Sequence, residues 1–370
     1  MDNTIGIKTL CITGGHLTPA LAVIEEIQEQ KKPWNILFVG REHTSQGNKK
    51  ISDEKRIIEN LHIPFISITA GRLQRQVSLS SIIELFMVPI GCMQACLFCL
   101  KYRPDCILSF GGYIGLPMSI AGWLFGIPTV IHEQTHALGL ANRIASQLAA
   151  SILLTFPDTK SISKECHTAV IGLPIRKAFF NPKKHPSFAI FADKPILYIT
   201  GGTTGAVSLN DLIFPSIHTL VSSCVVVHQT GQVSYEKALE VKKQLKKEDQ
   251  KRYIPFSYIE SEDVAWIMHH MTLLVGRSGA NTTMETAALQ KPAVFVPLPW
   301  AGSDEQKQNA QWYAKTGHVT IVDQRTTTQE ILLETILSVL HRTAKEKKIK
   351  KIISASSAAA SIVRETASLL

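Results

Sequence analysis

The stretch "LLVGRSGANTTMETAALQKPAVFVPLP", Leu273 to Pro299, places one arginine and one glutamate inside otherwise apolar sequence. An apolar run, Leu273–Val275, stops at a small, hydroxyl-rich turn. A helix-like segment carrying Glu285 follows, and then a second apolar run, Pro292–Pro297. Unbroken apolar runs of this kind are strands covered on both faces, and a helical crossover between two of them makes the strands parallel. Arg277 then stands at a strand end and Glu285 a turn or two into the next helix. In open parallel sheets ligands bind beyond the carboxyl ends of the strands, so both residues are candidate ligand contacts.

The same rhythm runs outward from this stretch to both ends of the chain. "IKTLCIT", "NILFVG", "DCILSFGG", "PTVIHEQ", "SILLTFP" and "TAVIGLP" come first, then "PILYITGG", "CVVVHQTG", "YIPFSYI", "LLVGRSG", "AVFVPLP" and "HVTIVD". This gives two α/β units of about six strands each. Prolines and lysines cluster between the two series, from Gly172 to Pro195, and mark the division. The expected fold is α/β, with two Rossmann-like parallel-sheet domains facing across a cleft. Residues 1–175 form the first and 176–353 the second, and the last helix, 354–370, is of a kind that can cross back to the first.

A chain of 370 residues suits two domains of this size. The formal charge of +9 favours an acidic partner, whether nucleic acid, anionic lipid or a phosphate-bearing substrate. The basic residues do not interleave with aromatics, and the densest run, Lys345–Lys351, reads as a solvated helix face, so nucleic acid ranks last. Seven cysteines, odd in number and mostly in apolar runs, fit a reducing cytoplasm. Cys92, Cys96 and Cys99 fall at helical spacing and read as one buried face, not a metal site. The N-terminus has no basic segment leading into an apolar one, so no signal peptide is expected. Ile82–Leu100 is the most apolar stretch, but Glu84, Pro89, Gly91 and Gln94 interrupt it. It reads as a core helix or as a helix resting on a membrane surface.

Three further strand ends carry glycines: "CITGGH" at Cys11–His16, "FGGYIGLP" at Phe110–Pro117 and "ITGGTTGA" at Ile199–Ala206. A glycine turn opening a helix offers free N–H groups to a phosphate, although a tight turn without a ligand has the same pattern. "TGGHLTP" lacks the spacing and third glycine of a dinucleotide fingerprint. "HEQTH", His132–His136, matches a zinc-protease pattern, but that pattern works on a helix and this one directly follows the strand-like "GIPTVI". No paired-aspartate metal motif stands at a strand end. For Arg277 and Glu285 two readings remain: a carboxylate accepting from a ribose diol beside an arginine meeting phosphate or sugar oxygens, or an ion pair on the rim.

Together these stretches resemble the MurG family of GT-B glycosyltransferases. Members add N-acetylglucosamine (GlcNAc) from UDP-GlcNAc to the lipid-linked muramyl-pentapeptide, lipid I, to give lipid II for peptidoglycan. The motif order is kept over almost the whole chain: "TGGH" at Thr13, "FGGYIGLP" at Phe110, "GIPTVIHEQ" at Gly126 and "GLPIR" at Gly172, then "GGTTGA" at Gly201, "HQTG" at His228, "GRSGANTTMET" at Gly276 and "DEQKQNA" at Asp304. The resemblance implies that Glu285 holds the uridine ribose, with Arg277, Ser278 and Ala280 lining the donor pocket and backbone groups of Ile259 pairing with uracil. It implies further that Gln306 binds the GlcNAc hydroxyls with support from Asn309, and that Thr203, Thr204 and Arg176 face the donor phosphates. Thr13, Gly14 and Gly15 would join the substrate contacts at a diphosphate, Thr135 would approach the sugar, and Gly111, Gly112 and Tyr113 would meet the acceptor. His16 would be the catalytic base. The sequence departs from the family pattern at Cys11 and Ile12, where glycines are usual, at Thr204 for glutamine, at Thr135 for asparagine, and at Glu305.

The resemblance also implies an inverting displacement without cofactor or metal, on the cytoplasmic face of the cell membrane as a peripheral protein. The partners would be UDP-GlcNAc, undecaprenyl-linked lipid I and an anionic membrane surface, with no nucleic acid. An apolar patch of Ile82, Leu85, Phe86 and Trp123, ringed by Arg72, Arg75, Lys101 and Arg103, would rest on that surface. The alternatives are a UDP-GlcNAc 2-epimerase and a non-catalytic UDP-GlcNAc sensor.

Overall fold

A computed structural model describes residues 7–43, 51–69, 79–162, 166–190, 193–300, 304–343 and 358–370, with the backbone alone for residues 53 and 79–86. Arg72, Arg75, the Lys345–Lys351 run and the side chains of Ile82, Leu85 and Phe86 lie outside the described residues. The chain divides into two compact units, Met1–Arg176 with Ala355–Leu370, and Lys177–Ser354.

Among the described residues the first unit has seven strands: β1 (Lys8–Thr13), β2 (Trp34–Gly40), β3 (Phe65–Ser67), β4 (Cys106–Ser109), β5 (Thr129–Glu133), β6 (Ser151–Leu154) and β7 (His167–Val170). They lie in the order β3-β2-β1-β4-β5-β6-β7, and every pairing is parallel. The chain therefore moves outward from β1 to β3 and returns to β4 on the other side, so the order reverses between β1 and β4. That is where ligands bind in such sheets. Strand β3 was not anticipated; three residues of "FIS" on the sheet edge, part-exposed, give no apolar run to read.

Alternation along each strand splits the core. Leu10 and Ile12 point into a layer with Ile24, Phe38 and Leu108, and the C-terminal helix Ala358–Ala367 adds Ile362 and Val363 to it. Cys11 and Val39 point the other way, among Phe98, Ile107, Ile114 and Met118. The helices that matter for the site are α1 (Leu17–Glu29), α2 (Asp53–Asn60), α3 (Leu79–Tyr102), α4 (Gly112–Leu124) and α5 (Leu140–Ala145). On α3, Cys99 is buried and Cys92 and Cys96 are part-buried, while Met93, Leu97 and Leu100 are exposed. Among the described residues no helix is long and apolar enough to cross a membrane.

The second unit repeats the plan with six strands among its described residues: β8 (Ile196–Thr200), β9 (Val225–Gln229), β10 (Tyr253–Phe256), β11 (Leu273–Gly276), β12 (Ala293–Phe295) and β13 (Val319–Ile321). Their order is β10-β9-β8-β11-β12-β13, again wholly parallel, and it reverses between β8 and β11. The opening stretch of sequence is therefore β11, the helix Ala280–Ala288 and β12, with Gly276 in register with Thr200 at the reversal. Strand residues Leu197, Ile199, Val226, Leu273 and Val275 are completely buried. Burial on both faces explains the unbroken apolar runs.

Candidate functional site

In the second unit two chain segments leave the reversal point side by side. After β8, the loop Gly201–Ala206 turns at Gly202 (φ +87°) and Gly205 (φ +78°) and opens the helix Val207–Ile213. Gly205 is packed against the neighbouring loop at Thr230 and Gly231, where any side chain would strike the Thr230 carbonyl oxygen. Gly202 donates to Thr200 Oγ1 at 3.0 Å, which sets the first half of the turn. Thr203 and Thr204 are left exposed at the tip.

After β11, Arg277 runs beneath this loop. It is 5 % exposed, and its Nη1 and Nη2 donate to Val296 O and Ser208 Oγ, both at 2.8 Å. Its buried Nε has no hydrogen-bond partner among the described residues. Burial lowers the guanidinium pKa to about 10, which leaves it charged at neutral pH. Ser278 Oγ donates to Gln306 O at 2.7 Å, and Asn309 Nδ2 donates back to Ser278 O at 3.1 Å. Gln306 Oε1 accepts from Leu298 N at 3.0 Å, so the Gln306 amide is oriented by backbone. These bonds tie the start of helix Glu305–Ala314 to the end of β11.

The result is an open cavity of about 480 Å3 whose lining includes Thr204, Ser208, Arg277, Trp300 and Gln306. Ligand sites for small molecules are typically of this size. The structure thus gathers Thr204, Arg277 and Gln306 from three separate stretches. Ala280 begins the helix Ala280–Ala288, whose N-cap, Gly279, supplies no side-chain cap. Glu285 lies on that helix, part-buried, within electrostatic reach of Tyr198. Ile259 is buried between β10 and the helix Ser261–His270. Val207, Ser208, Asp211, Leu298 and Trp300 also line the cavity and were missed in the sequence. Ser208 sits two residues past "GGTTGA" and was open to reading, whereas Leu298 and Trp300 reach the cavity only through the fold.

In the first unit, the loops after β1 and β4 meet backbone to backbone. Gly15 (φ +128°), Gly111 (φ +79°) and Gly112 (φ +73°) take conformations that favour glycine, and a side chain on Gly15 would lie 2.5 Å from Gly111 O. Thr13 Oγ1 donates to Ser109 Oγ at 3.2 Å and Gly14 N to Val39 O at 2.7 Å, so both expected substrate contacts bond within the protein. Tyr113, in the first turn of α4, has the Arg41 guanidinium 5.2 Å from its ring centre.

His16 is the N-cap of α1, and its Nδ1 lies 2.7 Å from Phe110 O. A carbonyl only accepts, so Nδ1 carries the proton and Nε2 keeps a lone pair. Burial pushes this imidazole below its ordinary pKa, against the Phe110 carbonyl and the Glu133 carboxylate. Glu133 is itself bound by Thr135 N (2.9 Å), Thr135 Oγ1 (2.7 Å) and Asn142 Nδ2 (2.8 Å), so the Thr135 side chain faces Glu133. Arg176 pairs with Glu25 of α1 at 2.8 Å. His132 lies in β5 and bonds Gly172 O at 3.0 Å, and His136 follows after a turn, so "HEQTH" does not form the helical pair a zinc site requires.

Two Rossmann-type sheets, each with a glycine loop at its point of strand reversal and one opening on a cavity with a buried arginine, place the chain in the two-domain α/β class of the GT-B type. Residues 9–154 match the glycosyltransferase family 28 N-terminal domain, and residues 196–365 match its C-terminal domain. The chain belongs to glycosyltransferase family 28.

A relative from Bacillus cereus, named UDP-N-acetylglucosamine–N-acetylmuramyl-(pentapeptide) pyrophosphoryl-undecaprenol N-acetylglucosamine transferase 2, is 32% identical over 89% of this chain and 90% of its own. A Treponema denticola protein named as the same transferase is 34% identical over 84% of this chain and 81% of its own. The crystal structure of Acinetobacter baumannii MurG superposes with a TM-score of 0.67 at 25% identity, covering 98% of this chain and all (100%) of that one. A putative UDP-N-acetylglucosamine 2-epimerase from Listeria monocytogenes gives 0.69 at 13% identity over 98% of this chain and 96% of its own, a likeness of fold.

Proposed function

We propose that this protein transfers GlcNAc from UDP-GlcNAc to the 4-hydroxyl of the lipid-linked muramyl-pentapeptide in peptidoglycan synthesis. The observation that carries this reading is the cavity at the β8–β11 reversal, with Arg277, Thr204 and Gln306 on its walls, in a chain similar over most of its length to transferases named for that reaction. The donor's diphosphate is assigned to Arg277 and the Gly201–Ala206 loop with Thr203 and Thr204, its ribose to Glu285, its uracil to Ile259 and its sugar to Gln306. Ser278 and Ala280 shape the wall. Arg176, paired here with Glu25, is the second cation assigned to the leaving group.

The acceptor oxygen attacks the anomeric carbon from the face opposite UDP. A C–O bond forms as the bond to the diphosphate breaks, the hydroxyl proton passes to His16 Nε2, and UDP leaves with the bonding pair. The lowered His16 pKa keeps the ring neutral and able to take that proton at neutral pH. The leaving charge is met by Arg277 and backbone N–H groups already in place.

The acceptor's carrier is a membrane lipid, and the exposed apolar residues of the first unit fit a resting face. Met93, Leu97 and Leu100 line one side of α3, Trp123 and Leu124 are exposed at the end of α4, which packs on α3, and Lys101 and Arg103 stand beside them. We assign this face to an anionic membrane surface.

UDP release from UDP-GlcNAc, with and without a short-chain lipid I analogue and in EDTA, tests the reading. Acceptor-dependent release that survives EDTA and collapses in Glu285→Ala is the expected result. Release of UDP without acceptor points to the epimerase, and binding without turnover to the sensor.

A further inference from the structure

The first glycine loop already holds an anion, and it belongs to the protein. Glu54, in the first turn of α2, reaches across the carboxyl ends of β1 and β2. Its Oε1 accepts from Gly15 N at 3.3 Å and its Oε2 from Arg41 N at 3.2 Å. Two glycines make room for the carboxylate. A Cβ on Gly14 would strike Glu54 Oε1 and lie 2.7 Å from its carboxyl carbon, and a Cβ on Gly40 would lie 2.6 Å from Oε2. Neither Gly14 nor Gly40 has a positive φ, so backbone conformation does not demand glycine at either. At Gly14 the space is taken by the Glu54 carboxylate alone, and at Gly40 the Phe65 ring, also 2.6 Å from such a Cβ, shares it with Oε2.

The clamp is two-sided. Ser52, the N-cap of α2, donates from Oγ to Arg41 O at 2.6 Å, so both backbone groups of Arg41 are held by the start of one helix. That fixes the point from which the Arg41 side chain crosses to the Tyr113 ring. The other end of the clamp holds Gly15, the residue before His16. We propose that Glu54 is a positioning residue for the transfer reaction: its carboxylate sets the loop that carries the base His16 and the strand end that aims Arg41 over Tyr113, and Gly14 is glycine to admit it. This rests on the transferase reading above.

The charge on this carboxylate is not favoured by the fold. Burial raises the Glu54 pKa, against its two N–H partners and the Arg41 charge, so the ionised form is held less favourably in the fold than in the unfolded chain. Groups kept at a cost to stability are characteristic of working sites.

The experiment is a double-mutant cycle on the full chain, Glu54→Ala, Gly14→Ala and the pair together, read as kcat for acceptor-dependent UDP release, KM for UDP-GlcNAc, and Tm. Each single change is expected to lower kcat at least about tenfold with KM for UDP-GlcNAc unchanged, by analogy with misplacement of catalytic groups. The double variant is expected to be no worse than Glu54→Ala alone, because the methyl then occupies space the carboxylate has left. Glu54→Gln, which keeps the shape but turns an NH2 toward one of the two N–H donors, is expected to lose kcat at least about tenfold with only a small fall in Tm. Losses that multiply in the double variant, or Glu54→Ala with wild-type kcat, overturn the proposal. So does a Glu54→Gln with wild-type kcat. If the wild type shows no acceptor-dependent release at all, the transferase reading fails instead, and the Tm cycle still reports whether Glu54 and Gly14 share one space.

Discussion

The molecule contains the same local device twice, a buried parallel strand ending in a glycine pair that opens a helix, and the two copies end in opposite states. In the loop after β1 the N–H of Gly14 goes to Val39 O, that of Gly15 goes to Glu54, and Thr13 bonds Ser109. In the loop after β8 the threonines at the tip are exposed and the walls open on a cavity of about 480 Å3. One glycine turn is filled from within and leads into His16; the other is open on a cavity. A glycine-rich turn in a sequence states that something comes close to the backbone, and only the fold says whether that is a substrate or the protein itself.

The sharpest way to break this contrast is to remove the group each loop presents. His16→Ala takes away the assigned base, and kcat is expected to fall by about 10²–10⁴, with UDP affinity measured by calorimetry unchanged. A residual rate within threefold of wild type would end the assignment. Glu285→Ala tests the ribose assignment: if the carboxylate holds the ribose, losing its charged hydrogen bonds is expected to cost on the order of 100-fold in kcat/KM for UDP-GlcNAc. Arg277→Lys keeps the charge but cannot reproduce a planar guanidinium bridging Val296 O and Ser208 Oγ, and UDP binding is expected to weaken by about tenfold.

Acid stability compares the two units more gently. His132 in β5 is lowered by burial to about 4 and His228 in β9 to about 3. Both fall below the unfolded value near 6.5, so the unfolded chain binds protons first. Stability is full above about pH 6.5 and declines as pH falls, by about 1.4 kcal/mol per pH unit for each group. The decline continues to about pH 4 for His132 and about pH 3 for His228. Urea midpoints measured across that range are expected to fall with pH, and His228→Asn is expected to flatten the curve. Smallest of all, Thr204→Ala at the exposed tip is expected to change UDP affinity by about threefold or less with Tm unchanged, since one exposed hydroxyl contributes little.

Much of the fold was legible because burial leaves a direct mark on composition. Strands such as "LLVG" and the first three residues of "VVVHQ", covered on both faces, are apolar without a break, and the polar His228 and Gln229 come only at the strand's carboxyl end. Strand β3 escaped because an edge strand of three residues buries too little to leave that mark. The motif "GRSGANTTMET" placed Arg277 by the strand end it follows, but not its carbonyl and serine partners, which come from β12's exit and the helix after β8. The histidine pair in "HEQTH" was separable from a zinc site because the strand signal before it was strong.

What the sequence by itself determined is the alternation of buried strands and helices, hence two parallel sheets, and the strand ends where chemistry collects. Both follow from local rules: which residues can be buried, and where backbone turns require glycine. What only the tertiary structure decided is which distant groups meet at those ends. Glu54 is 39 residues from Gly15, and Ser208 is 69 from Arg277. Side chains so far apart in the chain are brought together by the order of strands in the sheet, which reverses at β1–β4 and again at β8–β11. That order is set by how the whole core packs, and no short stretch of sequence carries it.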